Sequence, residues 1–245
     1  MRRFGLIGFP LTHSFSKIYF EKKFRAENIS DCSYELFSLT SLRQLPDLLI
    51  HKKELVGLNV TIPYKESILP FLSEMEETAS AVGAVNSISI RNGNLKGYNT
   101  DIIGFETTLK LIPDFKNLKA LILGNGGSSR AVQFVLEKKE IKFQIVSRHK
   151  NENTLTYDEI ENDLISTHRL IINCTPVGMF PNENEILPLP FEIISSNHFL
   201  IDLIYNPAKT KLMEQFEKRN AAAINGMTML IAQAEASWKI WNQNK

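Results

Sequence analysis

The segment Gly124-Asn125-Gly126-Gly127-Ser128-Ser129-Arg130 constrains the fold of this chain more than any other stretch. It follows the apolar run Ala120-Leu121-Ile122-Leu123 and opens the helical run Ala131-Val132-Gln133-Phe134-Val135-Leu136, so strand, glycine loop and helix come in direct succession. That succession suits a dinucleotide pyrophosphate, because glycine lets bare backbone approach the phosphates at a helix N-terminus. The plainer alternative is a tight βα turn using glycine for positive φ. Three glycines within positions 124–127 argue against it. The strand-like runs Phe143-Gln144-Ile145-Val146, Leu170-Ile171-Ile172 and Phe199-Leu200-Ile201 follow, and the alternation predicts a Rossmann-like α/β domain.

The strand after the glycine loop ends Val146-Ser147-Arg148-His149-Lys150, with no acid. At that place Asp or Glu usually reads a ribose 2′-hydroxyl, whereas Arg accommodates a 2′-phosphate. Arg148 therefore predicts NADP(H) over NAD(H). Charge alone would fit a solvated basic turn equally well, and only its place after the glycine loop favours the phosphate.

The first hundred residues alternate in the same manner, with strands expected over 3–9, 33–39 and 55–61 and helices over 15–27 and 42–52. These are βαβ units on a mostly parallel sheet. Stretches 85–90 and 95–100 flank Arg91-Asn92-Gly93-Asn94, and Asn-Gly favours a two-residue type I′ hairpin. That register sets Asn86 opposite Asn99 and so beside Asp101. A restart on a strand after Ile112-Pro113-Asp114 marks a second domain, with a connecting helix over 103–111. We place the first domain at 1–101 and the second at 102–225. Met227, Leu230, Ile231, Ala234, Trp238 and Trp241 form a helical stripe, so residues 226–245 are expected to return and complete the first domain.

Charge excludes several classes of partner. With 28 basic against 27 acidic residues the net charge is +1, and no global field favours nucleic acid or a membrane surface. Cys32 and Cys174 lie far apart without Cys/His clustering, which predicts neither disulfide framework nor metal site and suits a reducing cytoplasm. Phe4-Gly5-Leu6-Ile7-Gly8 after Met1-Arg2-Arg3 is too short for a signal segment or a span.

Two residues are acid/base candidates. Lys65 closes Asn59-Val60-Thr61-Ile62-Pro63-Tyr64-Lys65, just past an apolar strand, and Asp101 closes Asn99-Thr100-Asp101. A lysine so placed can be desolvated and paired with a carboxylate, which tunes it for proton transfer near neutral pH. Singly, each has a bland reading: a solvated lysine, and an aspartate capping the helix that follows. Asn59, Thr61 and Asn86 add amides and a hydroxyl at strand ends, which suits a polyhydroxylated substrate. Ser14 and Ser16 stand at the start of the first helix without the Glu or Gln of a capping box. In an extended segment their hydroxyls would face one way.

Taken in order, Ser14-Phe-Ser16, Asn59-Val-Thr-Ile-Pro-Tyr-Lys65, Gly83-Ala-Val-Asn86, Asn99-Thr-Asp101, the glycine loop to Arg130, Asn173-x-Thr-x-x-Gly-Met179, Asp202-x-x-Tyr205-Asn-Pro207 and Gly226-x-x-Met-Leu-x-x-Gln233 resemble the shikimate dehydrogenase family over nearly the whole chain. The resemblance implies NADPH-dependent reduction of 3-dehydroshikimate to shikimate, toward chorismate and the aromatic amino acids. It implies that Lys65 and Asp101 are the catalytic pair. Lys65 would give a proton to the carbonyl oxygen, and Asp101 would orient Lys65 and bind a substrate hydroxyl. Ser14, Ser16, Thr61, Asn86, Tyr205 and Gln233 would hold the substrate's carboxylate and hydroxyls. Gly124, Asn125, Gly126, Gly127, Ser128, Ser129, Arg148, Leu203 and Gly226 would hold NADP(H), with a lesser part for Glu77. Gln233 has a reason of its own, since it borders the stripe at Leu230 and so faces the domain cleft.

The sequence departs from the family at three places. Ser147-Arg148-His149 replaces Asn-Arg-Thr, Asn125 replaces alanine, and Ile102 stands where glycine usually follows the aspartate. A quinate/shikimate dehydrogenase of the same fold and a catalytically silent NADP-binding regulator are the competing readings. The expected protein is cytoplasmic, acts on a small molecule, and is a monomer or homodimer.

Overall fold

A computed structural model describes residues 1–11 and 14–243. The chain divides into two compact units, Met1–Thr100 with Gln233–Lys245, and Asp101–Ala232. In chain order the first unit holds β1 (Arg2–Gly8), α1 (Phe15–Ala26), β2 (Cys32–Ser38), α2 (Leu45–His51), β3 (Leu55–Val60), β4 (Glu74–Met75), α3 (Glu77–Val82), β5 (Ser87–Arg91) and β6 (Asn94–Tyr98). The second holds α4 (Asp101–Leu109), β7 (Ala120–Leu123), α5 (Gly127–Lys138), β8 (Phe143–Val146), β9 (Thr154–Leu155), α6 (Asn162–Thr167), β10 (Leu170–Asn173), β11 (Phe199–Asp202), α7 (Lys211–Glu217) and β12 (Ala222–Ile224). The closing helix, α8 (Met227–Asn242), joins the first unit from Gln233 onward.

The first sheet has the order β2-β1-β3-β5-β6-β4. β1 runs parallel to both β2 and β3, while β5 is antiparallel to β3 and to β6. Strand alternation sends side chains to two separate cores. Phe4 and Leu6 meet Phe20 and Phe24 of α1 and Trp241 of α8, whereas Ile7 joins Leu45 of α2, Leu58, Val60 and Ile88 on the other face. The hairpin forms with the expected pairing, Ser87 against Tyr98 and Arg91 against Asn94. Asn92 and Gly93 carry φ of 50° and 80°, the positive pair a type I′ turn needs.

The second sheet has the order β12-β11-β10-β7-β8-β9, and every pairing in it is parallel. Counted along the chain, that is the 3-2-1-4-5-6 order of doubly wound dinucleotide folds, in which the ligand crevice opens where strand order reverses. Here the reversal lies between the C-terminal ends of β7 and β10. The strands β7 and β10 are wholly buried, as strands covered by helices on both faces must be.

Two sequence expectations shift. The connecting helix starts at Asp101, earlier than 103, and the return to the first unit is counted from Gln233, later than 226. In addition, Ser14 is extended but Ser16 already lies in the first turn of α1, so the two hydroxyls do not share one face of an extended segment.

Candidate active site

In the first unit, Lys65 is fixed through its backbone. The Tyr64 amide donates to the Thr61 carbonyl at 2.9 Å, closing a turn after β3, and the Tyr64 hydroxyl donates to the Leu39 carbonyl from a buried position. The Lys65 carbonyl accepts from the Val85 amide at 2.8 Å, which ties the lysine to the strand leading to Asn86. The Lys65 side chain is half-buried, as is Thr61.

Asn86, Asn99 and Thr100 are buried polar residues, and buried polar groups must be bonded. The Asn86 Oδ1 accepts from the Thr100 amide at 2.6 Å and its hydroxyl at 3.1 Å, so the end of the hairpin is pinned one residue before Asp101. Asn99 Nδ2 donates to the Ala84 carbonyl at 2.8 Å. Gln233, only 9% exposed on α8, accepts from Asn86 Nδ2 and from the Thr100 hydroxyl, both at 3.5 Å. The fold thus brings Asn86 and Gln233 together across 147 residues of sequence. Ser14 occupies the N-cap position of α1 with no side-chain capping bond, and Glu77 is exposed at the start of α3, where the capping side chain is Glu76.

Three members of this cluster escaped sequence reasoning: Tyr34, Thr100 and Ser237. Tyr34 donates from its hydroxyl to Asn59 Oδ1 at 2.9 Å, and Asn59 Nδ2 donates to Ser237 Oγ at 2.9 Å. The available signal was Ser237, a hydroxyl set among Ala234, Trp238 and Trp241 in an otherwise apolar stripe.

In the second unit, Gly124 directly follows β7 with φ of +101°, and a Cβ there would lie 2.9 Å from Thr175 Cγ2 beyond β10. Glycine is thereby required twice, by conformation and by space. A Cβ at Gly126 would meet nothing within 4 Å, so bare backbone faces open space at the N-terminus of α5, where Gly126 is the cap residue without a side-chain capping bond. This is a cradle of the kind that pyrophosphate occupies. Ser128 is half-buried in the first turn, whereas Ser129 is fully buried and its hydroxyl accepts from Gln133 at 2.9 Å. Asn125, exposed in the loop, accepts from the same Gln133 amide at 3.4 Å.

Of the cations after β8, Arg148 is exposed, while Lys150 is paired with Glu159, whose carboxyl it holds down at about 2. On the other side of the reversal point, Asn173 Oδ1 accepts from the Thr175 amide and hydroxyl at 2.9 and 2.7 Å, and its Nδ2 donates to Asp202 at 3.0 Å. Buried Asp202 also accepts from the Thr210 hydroxyl at 2.6 Å and the Ile204 amide at 3.1 Å. Burial pushes its carboxyl above the usual range. These bonds set the course of the segment carrying Leu203 and half-buried Tyr205. A Cβ on Gly226 would lie 2.1 Å from the Leu203 carbonyl oxygen, so only glycine fits beside it. Among the described residues, no cluster of His, Cys, Asp and Glu could hold a metal, and no helix is long and apolar enough to cross a membrane.

These features define a two-unit α/β protein with a dinucleotide-binding fold in one unit and a buried hydroxyl–amide cluster in the other. Residues 6–88 match the family described as shikimate dehydrogenase substrate binding domain. The shikimate dehydrogenase (NADP(+)) of Methanosphaera stadtmanae is 35% identical, over 97% of this chain and 90% of its own length. That of Staphylococcus aureus is 36% identical over 98% and 92%. The solved structure of the Thermus thermophilus enzyme in complex with NADP(H) and shikimate covers 99% of this chain and 94% of its own, with a TM-score of 0.87 at 29% identity. The chain belongs to the shikimate dehydrogenase family.

Proposed function

We propose that the protein reduces 3-dehydroshikimate to shikimate with NADPH, reversibly, on the route to chorismate and the aromatic amino acids. The observation that carries the reading is the bare glycine loop at the reversal point of the second sheet. In this reading the second unit binds NADP(H) and the first binds substrate. Residues 124–129, Leu203 and Gly226 hold the dinucleotide, Arg148 meets its 2′-phosphate, and Glu77 plays a lesser part. NADPH supplies the hydride.

Lys65 donates the proton to the carbonyl oxygen and withdraws it in the reverse direction. Asp101, buried at the head of α4, orients Lys65 and takes a hydroxyl of the ring. Ser14, Ser16, Thr61, Asn86, Tyr205 and Gln233 hold the carboxylate and the remaining hydroxyls. A silent regulator would have no use for this Lys65–Asp101 combination, and no acid follows β8 to favour NAD(H). The reading places the protein in the cytoplasm, and both a monomer and a homodimer accommodate it.

The test follows NADPH absorbance with purified protein and 3-dehydroshikimate, repeated with NADH and with 3-dehydroquinate. Oxidation with NADPH and 3-dehydroshikimate is expected to be the fastest combination, and Arg148→Ala should raise the KM for NADPH far more than that for NADH. No oxidation in any combination would favour the silent regulator.

A further inference from the structure

Resting on the substrate-side reading above, we propose that Tyr34 and Ser237 are positioning residues that set the orientation of the Asn86 and Gln233 amides through one directed chain of buried hydrogen bonds. Tyr34 and Ser237 are 3% and 0% exposed, and neither is among the residues assigned to touch substrate.

The direction of the chain follows from counting protons. The Tyr34 hydroxyl donates to Asn59 Oδ1 at 2.9 Å, which turns the Asn59 amide so that Nδ2 donates to Ser237 Oγ at 2.9 Å and to the Asn86 carbonyl at 3.2 Å. Ser237 Oγ and Thr100 Oγ1 lie 3.2 Å apart, and either could donate. Thr100 has one hydroxyl proton, and that proton serves the oxygens of Asn86 at 3.1 Å and Gln233 at 3.5 Å. Ser237 is therefore the donor to Thr100. Donation runs one way, from Tyr34 through Asn59, Ser237 and Thr100 to the two amide oxygens.

The consequence is chemical. Each amide oxygen is used as an internal acceptor, so what an amide in this orientation offers a ligand is a nitrogen donor, one Asn86 Nδ2 proton being already given to Gln233 Oε1 at 3.5 Å. Donors suit the carboxylate and hydroxyl oxygens of a polyhydroxylated acid, whereas a flipped amide would present an acceptor to a carboxylate and repel it. Bonds in such a chain polarise one another, and removal of one link is felt at the far end.

The test uses the full chain with Tyr34→Phe, Ser237→Ala and Ser237→Thr. Tyr34→Phe keeps the ring that stacks on Phe20 at 4.6 Å and removes only the donor. Tyr34→Phe and Ser237→Ala should each raise the KM for 3-dehydroshikimate about five- to tenfold, the worth of roughly one hydrogen bond, and leave the KM for NADPH within about twofold. Ser237→Thr, which keeps the hydroxyl, should restore most of the loss. A purely structural role would lower thermal stability without separating the two KM values, and that result would overturn the proposal. So would an unchanged 3-dehydroshikimate KM in both Tyr34→Phe and Ser237→Ala. A wild-type protein inactive with 3-dehydroshikimate would instead overturn the functional reading, and this inference with it.

Discussion

The backbone of Lys65 is anchored by its own carbonyl and by its neighbour Tyr64. Tyr64 is buried and bonded to Leu39, and the Lys65 carbonyl is bonded to Val85, so replacing the lysine side chain leaves both anchors in place. Lys65→Met should therefore lower kcat about 10²- to 10⁴-fold, the usual worth of a positioned proton donor, while the midpoint of thermal unfolding moves little. A variant with near wild-type turnover would remove Lys65 from the proposed chemistry. At this scale the sequence was legible where chemistry declares itself locally: a lysine after a strand, glycines between strand and helix, an arginine after the next strand. It was not legible where a partner lies far away in the chain. Nothing in Val146-Ser147-Arg148-His149-Lys150 shows that Lys150 is taken by Glu159, nor does Tyr34 show its bond to Asn59.

Among the elements, the seam between α1 and α8 depends on Glu235. It accepts from the Tyr19 hydroxyl and from Lys23, which also pairs with Glu27 at 2.6 Å. Burial alone would raise the Glu235 carboxyl, but the bonds from Tyr19 and Lys23 outweigh it and hold the group below the usual range. A carboxyl depressed in the folded state contributes stability above its ordinary value and loses that contribution as pH falls through its folded value. Glu235→Gln should thus destabilise the protein by about 0.5–1 kcal/mol at pH 7, the scale of a partly exposed ion pair. The deficit should shrink toward acid. Thermal melts from pH 7 down to about 3.5 check this, and a deficit that stays constant over the range would remove Glu235 from the account. The elements legible in advance were those with a strong local code, such as the Asn92-Gly93 hairpin and the apolar strands β7 and β8. The strands β4 and β9 span only Glu74–Met75 and Thr154–Leu155, and β12 is Ala-Ala-Ile, with little β propensity. Such segments are strands because a neighbouring strand offers them hydrogen bonds, which no local pattern records.

At the scale of the whole molecule, the first unit is assembled from both ends of the chain. Phe4 in β1 stacks on Trp241 in α8 at 4.9 Å, and Trp241 donates from its indole to the Ile88 carbonyl at 3.0 Å. Gly57 is a glycine because a Cβ there would sit 2.5 Å from the Trp241 ring. The last helix is thus the cover for one face of a sheet that begins at residue 2. The second unit has a core of its own, in which Leu121, Ile171, Leu200 and Phe216 lie together within Asp101–Ala232. A chain ending at Ala232 should consequently lose the first unit and keep the second. Loss of one core Trp costs about 3–5 kcal/mol, comparable with the whole stability of many domains, and this truncation removes Trp238 and Trp241 together. Hydrogen exchange of the truncated chain should show protection lost across β1, β2 and β3 and retained in β7, β10 and β11. Protection that survives in β1 would mean that the sheet closes without its cover, and the stacked Phe4–Trp241 contact would then be a consequence of the first unit's fold rather than a condition for it.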